Sequence, residues 1–378
     1  MKNWIWALIA TLIVMGLSGY QYKHRTANTD VIAYVGNILL PAHQTPESLQ
    51  STTYGLLKKS ISPADYKILT EASPYRQSIY SDAKAFSQML GYYDSRQLYL
   101  WVAEALSNTG LGLVEALTII SVVGYFLILL LAYVWCAPRT GPVIAISIAF
   151  LIGIMAPMSN GARGAAPDLI SSAAVLWALY GMLETRHYGV SLVSFLISVA
   201  FRPDNFIRVL GTPVLAWDRI YVAKDRRLQM LVAGTVILAL VLAFLIFPHS
   251  YGWKSLIYFG VEKPAYPADL LPMPFDLEPY FIMVKKSFWK VANRTTYGYV
   301  GVIFAILWIL RKMDLGADQA ERKQKYERAI WVLLAWAAAR YALYPDPSER
   351  YFIPEIVGII LITINFAALA ARRRPADT

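Results

Sequence analysis

Thr29-Asp30-Val31-Ile32-Ala33-Tyr34-Val35-Gly36-Asn37 follows directly on the first apolar segment, residues 4–20. An acidic residue therefore stands just past a stretch able to cross a bilayer, at the start of a long polar loop. The chain then returns repeatedly to apolar runs. Asp30 reads as the carboxylate of a membrane-edge site on which later segment ends converge.

Of 378 residues, 57% are hydrophobic and only 16% charged, and the mean hydropathy is +0.44. A soluble domain carries about a quarter charged residues. The apolar runs are continuous in Leu, Ile, Val and Ala, not the short alternating segments of a β-barrel. The fold class expected is all-α, a polytopic helical membrane protein. A net charge of +10 fits Lys and Arg at cytoplasmic loops and anionic headgroups. No zinc spacing, phosphate-cradling Gly-rich loop or RNA-binding aromatic motif is present, so nucleic acid is not an expected partner. The single cysteine, Cys136, supports no intrachain disulfide and no redox role. Residues 4–20 read either as a signal peptide or as an uncleaved anchor.

Lys and Arg at segment ends set the orientation, with both termini cytoplasmic: Lys2 at one end, Arg372-Arg373-Arg374 at the other. The expected spans are 4–20, 111–136, 142–158, 169–183, 188–201, a short 206–216 interrupted by Gly211 and Pro213, 230–247, 299–310, 329–344 and 353–370. That is about ten transmembrane helices in a single transmembrane domain, 1–378. Two large loops fall outside, 21–110 and 249–297. The first is expected to hold interfacial helices at 30–40 and 94–106, the latter with Leu98, Trp101, Val102 and Ala105 on one face. The second is rich in Pro, Tyr and Trp and carries Lys285, Lys286, Lys290 and Arg294. Residues 313–328 read as a charged, helical cytoplasmic loop, and no repeat of fixed period is visible.

The outer segment ends collect polar residues that the positive-inside rule would not put there. They include Arg163 and Asp168 between two spans, Arg202-Pro203-Asp204 between two more, and Arg350-Tyr351 before the last, with Arg208 and Arg340 on the same side. Guanidinium groups bind phosphate oxygens bidentately, so a phosphate-linked lipid is one reason for them. Ion pairing, Arg202 with Asp204 or Arg350 with Glu349, is the other. Asp30 and Asp168 each read either as helix caps or as site carboxylates. His43 and His249 read as structural or solvated.

The pattern resembles the integral-membrane C-type glycosyltransferases (GT-C), which use polyprenyl-phosphate-linked sugars. Three elements carry the likeness: a long first outer loop with an early acidic residue, Asp30-Val31-Ile32-Ala33-Tyr34; a span ending in Arg202-Pro203-Asp204; and Arg350-Tyr351-Phe352-Ile353-Pro354 opening a late span. The resemblance implies transfer of a sugar from a polyprenyl-phosphate donor to a glycan, lipid or protein acceptor outside the membrane, with inversion. It implies Asp30 as general base, Arg163, Arg202, Arg350 and Tyr351 as donor-phosphate residues, and Asp204, Asp168, Arg96 and Tyr34 in support. No acidic pair stands at Asp30, so no metal is assigned, and a divalent cation stays open. No soluble C-terminal domain follows, which sets the chain apart from large oligosaccharyltransferases. The expected location is a bacterial inner (plasma) membrane. A glycan polymerase or ligase, or a flippase or transporter of lipid-linked sugars, is the alternative.

Overall fold

The computed structural model describes residues 3–246, 251–271, 277–292, 312, 317–346 and 348–371. The expected span 299–310, the terminal arginines 372–374, Lys2, His249 and Arg294 lie outside the described residues. Within them every element is helical.

Helix α1 (Asn3–Lys23) leads into the first long loop, which is itself six helices: α2 (Asp30–Leu39), α3 (Pro46–Ser60), α4 (Pro63–Glu71), α5 (Pro74–Ser81), α6 (Ala83–Leu90) and α7 (Gln97–Ser107). There follow α8 (Leu113–Thr140), α9 (Pro142–Ile154), α10 (Ala156–Arg163), α11 (Asp168–Tyr180) with a π turn Gly181–Thr185, and α12 (Tyr188–Phe201). The short α13 (Phe206–Val209) and α14 (Thr212–Leu215) precede α15 (Arg226–Val241). The remainder is α16 (Trp253–Glu262), α17 (Glu278–Ala292), α18 (Ala317–Leu343) and α19 (Ile353–Ala371).

Among the described residues, four helical segments are long and apolar enough to cross a bilayer: Trp4–Lys23, Leu113–Thr140, Arg226–Leu245 and Glu349–Ala371. A fifth arises if α9 and α10, bent by 65°, count as one broken span. Helices suit this setting because no water is present in hydrocarbon to satisfy exposed backbone groups. One expectation changes. Residues 206–216 form two single-turn helices, not a tilted span; at 1.5 Å per residue each is only about 6 Å long. The expected helical loop 313–328 and the span 329–344 run on as one helix, α18, over the described residues 317–343.

Helix α8 is the central post, with α1, α9, α11 and α19 packed around it. Its tightest approach is at Gly124, where a Cβ would stand 2.3 Å from the backbone N of Ile170 on α11. A small residue there lets two helix backbones touch. Helix α8 ends at Gly141, whose φ of +84° suits glycine, and Pro142 opens α9 at once. At this end Glu184 accepts from Arg139, from Trp135 Nε1 at 2.9 Å and from Tyr326 Oη, tying α8, α11 and α18 together.

The first long loop has its own core. Val31, Ile32, Tyr34, Leu57, Ile79, Phe86 and Tyr99 are buried there over the first turns of α8. Helix α2 is thus enclosed by its neighbours, with Asp30 to Gly36 buried. Helix α7 buries Tyr99 and Ala103; of its expected apolar face, Leu98 and Val102 pack partly buried against the loop core, while Trp101 is 56% exposed. Starts of the other loop helices are well marked. Thr45, Ser62 and Ser73 accept from backbone N–H groups of the first turn, and proline follows each. The second long loop packs on the first: Lys84 holds Asp269 at 2.7 Å and the Tyr92 ring meets Tyr251 and Phe259. Helix α17 reaches the opposite wall through Tyr280 Oη, 2.8 Å from Ala342 O.

Candidate functional site

Asp30 opens α2, but it does not cap the helix. Asn28 Oδ1 accepts from the Val31 N–H at 3.2 Å, and Thr29 makes no side-chain cap. The carboxylate turns inward. Arg350 Nη1 donates to Asp30 Oδ2 at 2.8 Å and Tyr93 Oη donates to Asp30 Oδ1 at 3.0 Å. The strap before it is held to the α10–α11 turn: Thr26 N donates to Arg163 O at 3.0 Å and Asn28 Nδ2 to Ala165 O at 3.1 Å.

From Asp30 the charges run on without a break. Arg350 Nε lies 3.7 Å from Asp168 Oδ2, and Asp168 Oδ1 accepts from Arg202. Arg202 grips Asp204 with both Nε (3.1 Å) and Nη2 (2.9 Å). Arg340 Nε approaches the same carboxylate at 3.2 Å. Residues from the first loop, α11, the turn after α12, the end of α18 and the start of α19 therefore meet. Arg350 and Asp204 form the accessible edge, with side chains 33% and 30% exposed; Arg202 and Asp168 lie behind at 8% and 7%.

Tyr351 organises the cations. Arg202, Arg340 and Arg350 stand 4.9, 4.8 and 5.0 Å from its ring centroid, and its hydroxyl accepts from Arg350 Nη2 at 3.0 Å. The electron-rich ring face offsets part of their mutual repulsion. Beneath it Arg208 pairs with Glu355 through two contacts, 2.8 and 3.1 Å, and donates to Tyr351 O at 3.0 Å. Both side chains of that pair are buried, so it anchors the turn that carries Arg350 and Tyr351.

Arg96 closes the other side, 5.0 Å over the Tyr93 ring and 5.7 Å over that of Tyr34. Tyr34 packs edge-on against Tyr93 and Tyr99 and thereby sets the wall behind Asp30. Four guanidinium groups (Arg96, Arg202, Arg340 and Arg350) thus surround three carboxylates (Asp30, Asp168 and Asp204). Two buried donors of this set lack an aligned hydrogen bond: Arg96 Nη1, and Arg340 Nε, which has only its ion-pair approach to Asp204. Burial pushes the Asp30 carboxyl up, but the charges of Arg350 and Arg96 outweigh it and hold it below its ordinary value. Burial raises Asp204 likewise, against a larger lowering by Arg202, Arg340 and Arg208. Burial and the neighbouring Asp30 charge push the Tyr93 hydroxyl well up, so it stays a donor.

Of the residues singled out in the sequence, Asp30, Arg202, Arg350, Tyr351, Asp204, Asp168, Arg96 and Tyr34 come together. Arg163 does not join them. Its Nε donates to Gln21 Oε1 at 2.7 Å and it sits over Tyr20, bracing α10 against α1. Arg350 takes Asp30 as partner, 320 positions away, and not the adjacent Glu349 as its sequence allowed. Sequence reasoning missed Tyr93 as the second ligand of Asp30, and it placed Arg340 on this side without assigning it to the site. Tyr93 carries no signal among 25 tyrosines. Arg340 does, as a charge within an apolar run. Among the described residues, no group of three His, Cys, Asp or Glu side chains could hold a metal ion.

The structure thus defines a helical membrane-type protein with a charged site at one end of its bundle. Comparison of the chain with protein-family models, curated proteins and solved structures gives no match.

Proposed function

We propose that this protein is a membrane glycosyltransferase of the GT-C kind. It moves a sugar from a polyprenyl-phosphate donor to an acceptor at the outer face of a bacterial inner membrane. The observation that carries the reading is the junction of Asp30 with a surplus of guanidinium groups at the outer segment ends. An anion is the ligand such a surplus favours, and buried unsatisfied donors add to the demand for acceptor oxygens. Spans beyond those long, apolar helices, 206–216 excepted, and the cytoplasmic termini expected from the charge pattern belong to the same proposal.

The mechanism follows from the exchange of partners. A donor phosphate competes with Asp30 for Arg350 and takes donors from Arg96, Arg202 and Arg340. Once Arg350 turns to the phosphate, Asp30 loses its main counter-charge and becomes a stronger base. The acceptor hydroxyl then gives its proton to Asp30, and its oxygen attacks the anomeric carbon. The bond from that carbon to the phosphate oxygen breaks on the opposite face, and its electron pair leaves on the lipid phosphate. The arginines stabilise the charge as it forms. Tyr93 keeps the carboxylate aimed while Arg350 is engaged elsewhere.

The deciding experiment uses purified protein in liposomes with polyprenyl-phosphate sugars and an acceptor. Transfer by the wild type and a loss of about 10²- to 10⁴-fold in Asp30→Asn are expected. Full turnover in Asp30→Asn removes Asp30 as the base. Movement of the lipid between leaflets with no sugar transferred replaces the enzyme with a flippase.

A further inference from the structure

Away from the arginine cluster, a half-open cavity of about 440 Å³ lies between the end of α1 and the start of α8. Val31 forms part of its wall, while the Asp30 carboxylate points off toward Arg350. The charged lining is two cations, Lys23 and Arg25, and one carboxylate, Asp65, with the hydroxyls of Thr26, Ser60 and Thr118 beside them. Arg25 is already shared with Glu115 at 3.2 Å, and Asp65 accepts from Ser62 at 2.8 Å. Lys23 has no ion-pair partner among the described residues.

We propose that this cavity holds the headgroup of an outer-leaflet phospholipid of the phosphoethanolamine class. Three observations lead there. Lys23 ends one apolar helix and Leu113 begins another, so a cavity lined by both helix ends sits at headgroup depth. Its charges are of both signs: the cations suit a phosphate, and Asp65 suits a primary ammonium able to donate hydrogen bonds. Tyr22, Ile61 and Val114 supply apolar surface for the glycerol and first methylenes. A purely anionic headgroup would bring like charge toward Asp65, and a quaternary ammonium has no hydrogen to donate. The bound lipid would brace the strap of residues 26–30, which carries Asp30 and is otherwise held by Arg163 O and Ala165 O.

The test is lipid retention by the full-length protein. Delipidated protein is exposed to vesicles holding equal parts phosphatidylethanolamine, phosphatidylglycerol and phosphatidylcholine, re-extracted, and read by native mass spectrometry. Preferential retention of phosphatidylethanolamine is expected, reduced roughly tenfold in Lys23→Gln and in Asp65→Asn. Asp65→Glu and Lys23→Arg should keep the preference and stand in if a neutral variant fails to fold. Asp30→Asn should retain the lipid in full, which separates this site from the proposed reaction. Equal retention of the three lipids, preference for phosphatidylglycerol, or an unchanged preference in Asp65→Asn overturns the proposal.

Discussion

At neutral pH the Asp30 carboxylate is ionised, and its contact with Arg350 at 2.8 Å makes it a poor proton acceptor until that contact is exchanged. Its depressed titration also has a stability consequence. A carboxyl lowered in the folded state contributes stability above its ordinary value, 3.8, and loses it as pH falls through the folded value. Melting temperature measured from about pH 6 down to about pH 3 should therefore fall in the wild type. Asp30→Asn should flatten part of that fall, leaving the part that belongs to Asp204, which is lowered by the same kind of contacts. An unchanged acid limb in Asp30→Asn would contradict the pairing. Tyr351 offers a second residue-scale test. Tyr351→Phe keeps the ring under three guanidinium groups and loses one hydrogen bond, so donor KM should rise less than about tenfold. Tyr351→Leu removes the ring face and should raise it further, as measured in the liposome assay.

Elements are placed by contacts that tolerate little change. Gly124 lets α8 touch α11, and α11 carries Asp168 on its first turn. Gly124→Ala must push the two helices apart, at a cost of about 1–3 kcal/mol for an overfilled contact. Lower thermal stability together with weaker donor binding is expected, and an unchanged melting temperature would refute the close approach. The Arg208–Glu355 pair ties α13 to the first turn of α19. Glu355→Ala leaves a buried guanidinium without its partner, which destabilises by about 3–5 kcal/mol; denaturant titration in detergent measures it. The four loop helices between α2 and α7 were legible but unread in the sequence. Thr45-Pro46, Ser62-Pro63 and Ser73-Pro74 are cap-and-proline starts, yet each helix is short and weakly apolar, so periodicity does not reveal it.

On the scale of the whole molecule, the two ends of the bundle differ in kind. One end gathers Glu184 with Arg139 and Tyr326, a closed set that leaves little chemistry open. The other gathers the arginine cluster beneath the first loop. These groupings match alternating helix directions: the C-terminal ends of α8 and α11 lie with the charged half of α18, and the N-terminal turns of α11 and α19 lie with the end of α18. Thiol labelling of intact cells tests which end faces out. Cys136 is buried and should be silent. Glu47→Cys, exposed on α3, should react with an impermeant maleimide from outside, and Arg227→Cys on α15 only after permeabilisation. The reverse pattern would invert the proposed orientation.

The sequence by itself determined the helical membrane class, because apolar run length and charge content are local properties that a bilayer reads directly. It also marked Asp30, Arg202 and Arg350 as charges placed where bulk topology does not explain them. Their company was decided by tertiary structure alone. That Arg163 serves α1 and not the cluster, that Tyr93 and Arg340 complete it, and that α2 is enclosed all depend on contacts between segments far apart in the chain. Such contacts follow from how helices pack around α8, and pairwise packing leaves no periodic trace in any one segment.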